Sequence, residues 1–185
     1  MIDLWVWSAG AGGRDDFSRP RSPSGRAGLR RIAAAEPCAG GSGGCVIAAA
    51  PYRCERCGDR WSVSHTGAMI AVARAALPVG VDIETRRERP AAFALLQRLT
   101  GTRVRDIERW TQCEALLKAR GQAHRRPGPG DLPLLPEWVP GWQPSSDRAW
   151  WVHTDPGAEL IVSVAVASGA GPAPRLRLRG MPVPD

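Results

Sequence analysis

Lysine is almost missing from this chain. Of its 25 basic residues 24 are arginine, and Lys118 stands alone. Aromatic residues other than tryptophan are also scarce, with one Tyr and two Phe against eight Trp in 185 residues. No apolar run approaches the roughly 18 residues that a membrane span needs. The longest, at 45–50 and 68–73, have the length of strands. The opening Met1-Ile2-Asp3-Leu4-Trp5 lacks a basic region followed by an apolar stretch, so no secretory leader is expected and the protein reads as cytoplasmic. Its five cysteines, an odd number, argue against a disulfide scaffold. No repeat of fixed period is evident.

The chain does have a 43% hydrophobic share, enough to bury a core as one large domain or two small ones. With 21 Gly and 17 Pro, long loops are expected. A net charge of +7 suggests an anionic partner without saying whether it is nucleic acid, a phosphorylated small molecule or an acidic protein. Cys54 and Cys57 have the spacing of a zinc knuckle, and Cys38 and Cys45 could complete four ligands. The six residues between Cys38 and Cys45 exceed the usual two to four, and reduced thiols in a loop are the plainer reading.

Residues 8–44 read mostly as loop, 19–24 in particular, with a short helix near 27–36. Strands are expected at 46–50, 61–64, 68–75 and 79–84, with a turn at His65-Thr66-Gly67. Pro90 starts a helix to 99, and a longer helix runs from 104 to 120 with Gly121 as its cap. A long loop follows over 122–148. A hairpin turns at Asp155-Pro156-Gly157 between 149–153 and 160–167, and alternation over 175–179 suits an edge strand.

Alternation along a strand puts Asp82 and Glu84 on one face, opposite Val81 and Ile83. Helical spacing lines up Trp110, Glu114 and Lys118 on one stripe. If that helix packs beside the strand, three carboxylates converge, and hard oxygens with room for water and phosphate are how Mg²⁺ is usually held. The plainer alternative is a solvated strand edge beside a Glu114–Lys118 helical ion pair. His65 has Ser64, Thr66 and Gly67 as neighbours, residues that let a backbone approach a phosphate while an imidazolium adds charge. A lone surface or capping histidine is the alternative there.

Taken in order, three segments resemble the signatures of the 4′-phosphopantetheinyl transferases. They are Trp61-Ser62-Val63-Ser64-His65-Thr66-Gly67, Val79-Gly80-Val81-Asp82-Ile83-Glu84 and Trp110-Thr111-Gln112-Cys113-Glu114-Ala115-Leu116-Leu117-Lys118-Ala119. The likeness is to the monomeric type that serves nonribosomal peptide and polyketide synthases, and it covers about residues 57–121. It implies an α+β fold of two similar lobes, each a small antiparallel sheet with a packed helix, at about 1–78 and 79–185. It implies transfer of the phosphopantetheine arm of coenzyme A to a serine of an acyl or peptidyl carrier protein, with Mg²⁺. Under the resemblance Asp82, Glu84 and Glu114 hold the metal, and Glu114 also helps deprotonate the serine. Lys118 binds the pyrophosphate, while Ser64, His65 and Thr66 contact the phosphates of coenzyme A. Cys113 stands where the family usually has Lys. The Gly-Lys-Pro stretch common upstream of the Ser-His strand is missing. Two rivals follow from the same residues: a non-catalytic module that binds carrier protein or coenzyme A, and a zinc-stabilised nucleic-acid binder. Scattered basic residues and unneutralised carboxylates disfavour the second. Neither nucleic acid nor a membrane is therefore expected as a partner.

Overall fold

The computed structural model describes residues 1–8, 23–48, 51–169 and 171–180. In chain order its elements are β1 (Ile2–Ser8), α1 (Pro23–Ala35), β2 (Arg60–Thr66), β3 (Met69–Ala75), β4 (Val79–Thr85), α2 (Pro90–Thr100), α3 (Ile107–Ala119), β5 (Gly141–Pro144), β6 (Trp150–Pro156), β7 (Leu160–Ala167) and β8 (Leu176–Arg179). The fold is α+β, with two four-stranded sheets ordered β2-β3-β1-β8 and β4-β7-β6-β5 among the described residues. The second sheet is antiparallel throughout. The first departs from the expected antiparallel pattern at one edge, where β8 pairs parallel with β1. The tail thereby satisfies backbone groups that the outer edge of β1 would otherwise leave open.

The two sheets face each other. Ile2, Leu4, Ala71 and Ala73 from the first meet Val79, Val81, Ile83, Val164 and Val166 from the second in one buried cluster. Leu29 and Ile32 of α1 pack with Trp5, Trp61 and Val72 on the outer face of the first sheet. Phe93 and Leu96 of α2 and Leu116 and Leu117 of α3 cover the outer face of the second, against Val152, Ile161 and Ala165. Small residues set how near each helix comes. A Cβ on Gly28 would lie 2.6 Å from the Trp7 ring, and one on Gly80 would lie 2.0 Å from the Ala115 carbonyl oxygen. Helix α3 therefore lies directly on β4 where that strand lacks a side chain.

Several element boundaries differ from expectation for identifiable reasons. β1 carries Leu4 and Trp5 in succession, both buried, so strand alternation is blurred there. Helix α3 begins at Ile107 rather than 104 because Asp106 caps it, its carboxylate accepting from the Arg109 N–H at 2.7 Å. The expected strand at 46–50 is reduced to a single bridge between Ile47 and Cys54, and residues 49–50 of it lie outside the described residues. Residues 9–22 of the expected loop lie outside them too, and residues 23–24 belong to α1, which starts earlier than the helix expected near 27–36. The proline-rich stretch 122–148 contains the edge strand β5, where Pro144 is tolerated because an edge need not donate on both sides.

Candidate functional site

The hairpin of β2 and β3 turns over two residues, with Gly67 at φ +51°. Along β2 the alternation sends Ser62 and Ser64 toward β4 and turns Val63 and His65 toward α1, where Gly25 lies against both. β4 is an edge strand, and its free edge meets these serines. The Val81 N–H donates to Ser62 Oγ at 3.0 Å. The Val81 carbonyl accepts from Lys118 Nζ at 3.1 Å. Side chains thus satisfy backbone groups that no neighbouring strand pairs, and the two sheets are joined at this seam.

The same seam collects the carboxylates. Asp82 and Glu84 are 5% and 8% exposed, so they are no solvated strand edge. Asp82 Oδ1 accepts from Lys118 Nζ and from Ser64 Oγ, both at 2.7 Å. Its Oδ2 is buried without a hydrogen-bond partner. Glu84 Oε2 accepts from Arg89 Nη2 at 2.6 Å and from Thr66 Oγ1 at 3.2 Å. Burial and the charge of Asp82 hold the Glu84 carboxyl above its usual range, against Arg89, Thr66 and Lys118. Glu114 feels the charge of the same two acids. Burial and then Asp82 push its carboxyl up to about 7, with Glu84 adding to the rise and Lys118 and Arg89 opposing it. Lys118 is paired with Asp82 across the seam rather than with Glu114 along its own helix.

The rotation of α3 that achieves this is held from below. Gln112 Nε2 donates to Thr154 Oγ1 at 2.8 Å, and the Ser163 hydroxyl donates to Thr111 at 3.1 Å. Arg109 donates to Gln112 at 2.9 Å and to the carbonyls of Leu135 and Pro136. Trp110 turns to Phe93 of α2, with ring centroids 5.9 Å apart. These buried polar residues, together with Gly80, Ser62 and Arg89, were not singled out as functional from the sequence. A glycine inside an apolar strand was the available signal for Gly80, since it marks a close backbone approach. The others become visible only when β6, β7 and α3 are brought together.

Hydrogen bonds tie Ser64 and Lys118 to Asp82 and Thr66 to Glu84, and Glu114 lies within electrostatic reach of both acids. His65 lies on the other face of β2, its imidazole held below the usual range by burial and then by Lys118, against Asp82. Cys113 is fully buried in the core under α3, and burial pushes its thiol far up. A thiol so placed is a packing group rather than a nucleophile. No family model matches the chain, and no curated protein matches it.

Proposed function

We propose that the chain is a 4′-phosphopantetheinyl transferase that modifies a serine of an acyl or peptidyl carrier protein of a polyketide or nonribosomal peptide synthase. The observation that carries this reading is the buried pair of Asp82 with the only lysine of the chain, at a seam between two sheets and within electrostatic reach of Glu84 and Glu114. In this reading the two sheets with their helices are the two lobes of the family fold. The chemistry of the donor set suits Mg²⁺: three carboxylates lie within electrostatic reach of one another, and one buried Asp82 oxygen has no hydrogen-bond partner. Asp82, Glu84 and Glu114 would hold the ion, which when bound supplies charge neutralisation at the pyrophosphate.

The protein's own groups then divide the work. Glu114 takes the proton of the carrier serine hydroxyl, the role that the resemblance implies for it. The serine oxygen attacks the β-phosphorus of coenzyme A, and the phosphoanhydride bond to 3′,5′-ADP breaks. Lys118 turns one of its three donors from its seam partners to the leaving pyrophosphate oxygen and stabilises the charge that grows there. Ser64 and Thr66 hold Asp82 and Glu84 in place. This is a positioning role, in addition to the phosphate contacts that the resemblance assigns to them; His65, which the resemblance groups with them, lies against α1 on the other face of β2. The arginine-rich surface suits an acidic carrier protein.

The test is to incubate the purified chain with coenzyme A, Mg²⁺ and a panel of apo carrier proteins and to weigh the carriers. Gain of the phosphopantetheine mass is expected, with Asp82→Asn and Glu84→Gln folded but inactive. Cys113 in the slot where the family has lysine favours one second reading, a non-catalytic module of the same fold. Binding of coenzyme A or apo carrier with no mass gain on any carrier would establish that second reading in place of the first.

A further inference from the structure

Cys38, Cys45, Cys54 and Cys57 play no part in the site above, yet the fold gathers them. Their four sulfurs all lie within 4.8 Å of one another. Cys38 Sγ is 3.6 Å from Cys54 Sγ, and Cys45 Sγ is 3.9 Å from Cys57 Sγ. Four thiolates about 2.3 Å from a central zinc stand about 3.8 Å apart at the corners of a tetrahedron. A disulfide would need about 2.05 Å and pairs too close for a shared ion. The observed separations therefore match edges of a tetrahedral site.

The backbone is arranged for the same purpose. In the Cys54-Glu55-Arg56-Cys57-Gly58 turn the N–H groups of Cys57 and Arg56 are directed at the Cys54 sulfur, and the Asp59 N–H at Cys57. Gly58 follows at φ +81°, where the chain must double back. The six-residue spacing between Cys38 and Cys45 is resolved by glycine. Pro37 pairs with Gly44, and the Cys38 N–H donates to the Gly43 carbonyl, so the ends of that loop stand together. A Cβ on Gly40 would lie 2.6 Å from the Arg56 backbone, which is how closely the two loops approach. Three guanidiniums brace them: Arg56 on the Ser42 carbonyl, Arg53 on the Gly58 carbonyl, and Arg74 on the Pro37 carbonyl and Asp59. A divalent ion with four thiolates carries two negative charges, and these cations offset them.

We propose that Cys38, Cys45, Cys54 and Cys57 form a structural four-thiolate zinc site that clamps residues 36–47 and 52–59 onto the outer face of the first sheet. Four protein ligands leave no open position, so the site is structural rather than catalytic. Binding releases the thiol protons, and no redox step is involved. The ion does the work of a larger core there, since three of its ligands are themselves part of the cluster with Trp5, Leu29, Ile32 and Trp61.

The experiment is metal analysis of the full chain purified without chelator, with mass measured under native and denaturing conditions. One zinc per chain is expected, lost on denaturation, with all five cysteines then reacting as free thiols. Replacement of zinc by cobalt should give the absorption of a tetrahedral four-thiolate centre. Cys54→Ser and Cys38→Ser should lose the ion, and Cys113→Ser should keep it. If the serine variants are insoluble, the wild-type stoichiometry and cobalt spectrum still decide. Absence of zinc from protein purified in zinc-containing medium would overturn the proposal. So would a denatured mass lower by four hydrogens, the sign of two disulfides. Both outcomes are independent of whether the chain transfers phosphopantetheine.

Discussion

Lys118 uses all three hydrogens of its ammonium, on Ser64 Oγ, the Val81 carbonyl and Asp82 Oδ1. That tripod is a point-charge geometry which a planar guanidinium cannot reproduce. Lys118→Arg is therefore expected to lose about 10²- to 10³-fold in transfer rate, the usual cost of removing one well-placed charge-stabilising donor. Lys118→Ala should lose at least as much, with coenzyme A affinity measured separately to isolate the chemical step. Parent-like turnover by Lys118→Arg would mean that charge alone suffices. Glu114 gives a second test, on stability. Its folded carboxyl titrates at about 7 against an ordinary 4.5, so the folded metal-free protein binds this proton more tightly than the unfolded chain. The stabilisation from that proton is complete below about pH 4.5 and disappears as the pH rises through about 7. At pH 8 without Mg²⁺, Glu114→Gln should melt above the parent, and near pH 4 the two should coincide. Added Mg²⁺ should raise the parent's melting temperature and leave the variant's nearly unchanged.

At the scale of elements, the packing of α3 on β4 decides whether there is a site at all. Gly80 is the point of contact, and any side chain there meets backbone rather than a movable group. Gly80→Ala should cost more than the roughly 1–3 kcal/mol of ordinary overpacking. It should also abolish transfer, because Glu114 and Lys118 would be lifted from Asp82. Denaturant melts alongside the carrier assay would test this, and a variant as stable as the parent would contradict the close approach. Much of this arrangement was legible beforehand. Val81, Ile83, Asp82 and Glu84 alternate cleanly, and 3.6-residue spacing put Glu114 and Lys118 on one stripe. What stayed hidden was long-range. Ser62 capping an edge strand, Arg89 holding Glu84 and the Gln112–Thr154 bond depend on partners that no local pattern connects. The cysteines were obscured for the opposite reason. Their spacing exceeds that of a short knuckle, while the glycines of 40–44 let a longer loop close.

For the whole molecule, the described chain is tied together at a distance. β8 pairs with β1, Arg177 Nε donates to Asp3 at 2.5 Å, and Arg179 grips both oxygens of Glu36 at 2.8 and 2.9 Å. Removing residues 175–185 should leave a chain that forms multimers or precipitates, read by size-exclusion chromatography. A monomer of unchanged melting temperature would show β8 to be dispensable. The pairing also has a consequence in time. Asp3 and Arg177 are 174 positions apart, so a ribosome adding roughly 5–20 residues per second delivers the second about 9–35 s after the first. For that interval Ile2, Leu4 and Trp5 sit on a strand whose outer edge has no neighbour, the kind of surface on which nascent chains stick to one another. Soluble yield of this protein should therefore change with the speed of translation between β1 and β8, which synonymous slow codons placed between them would test.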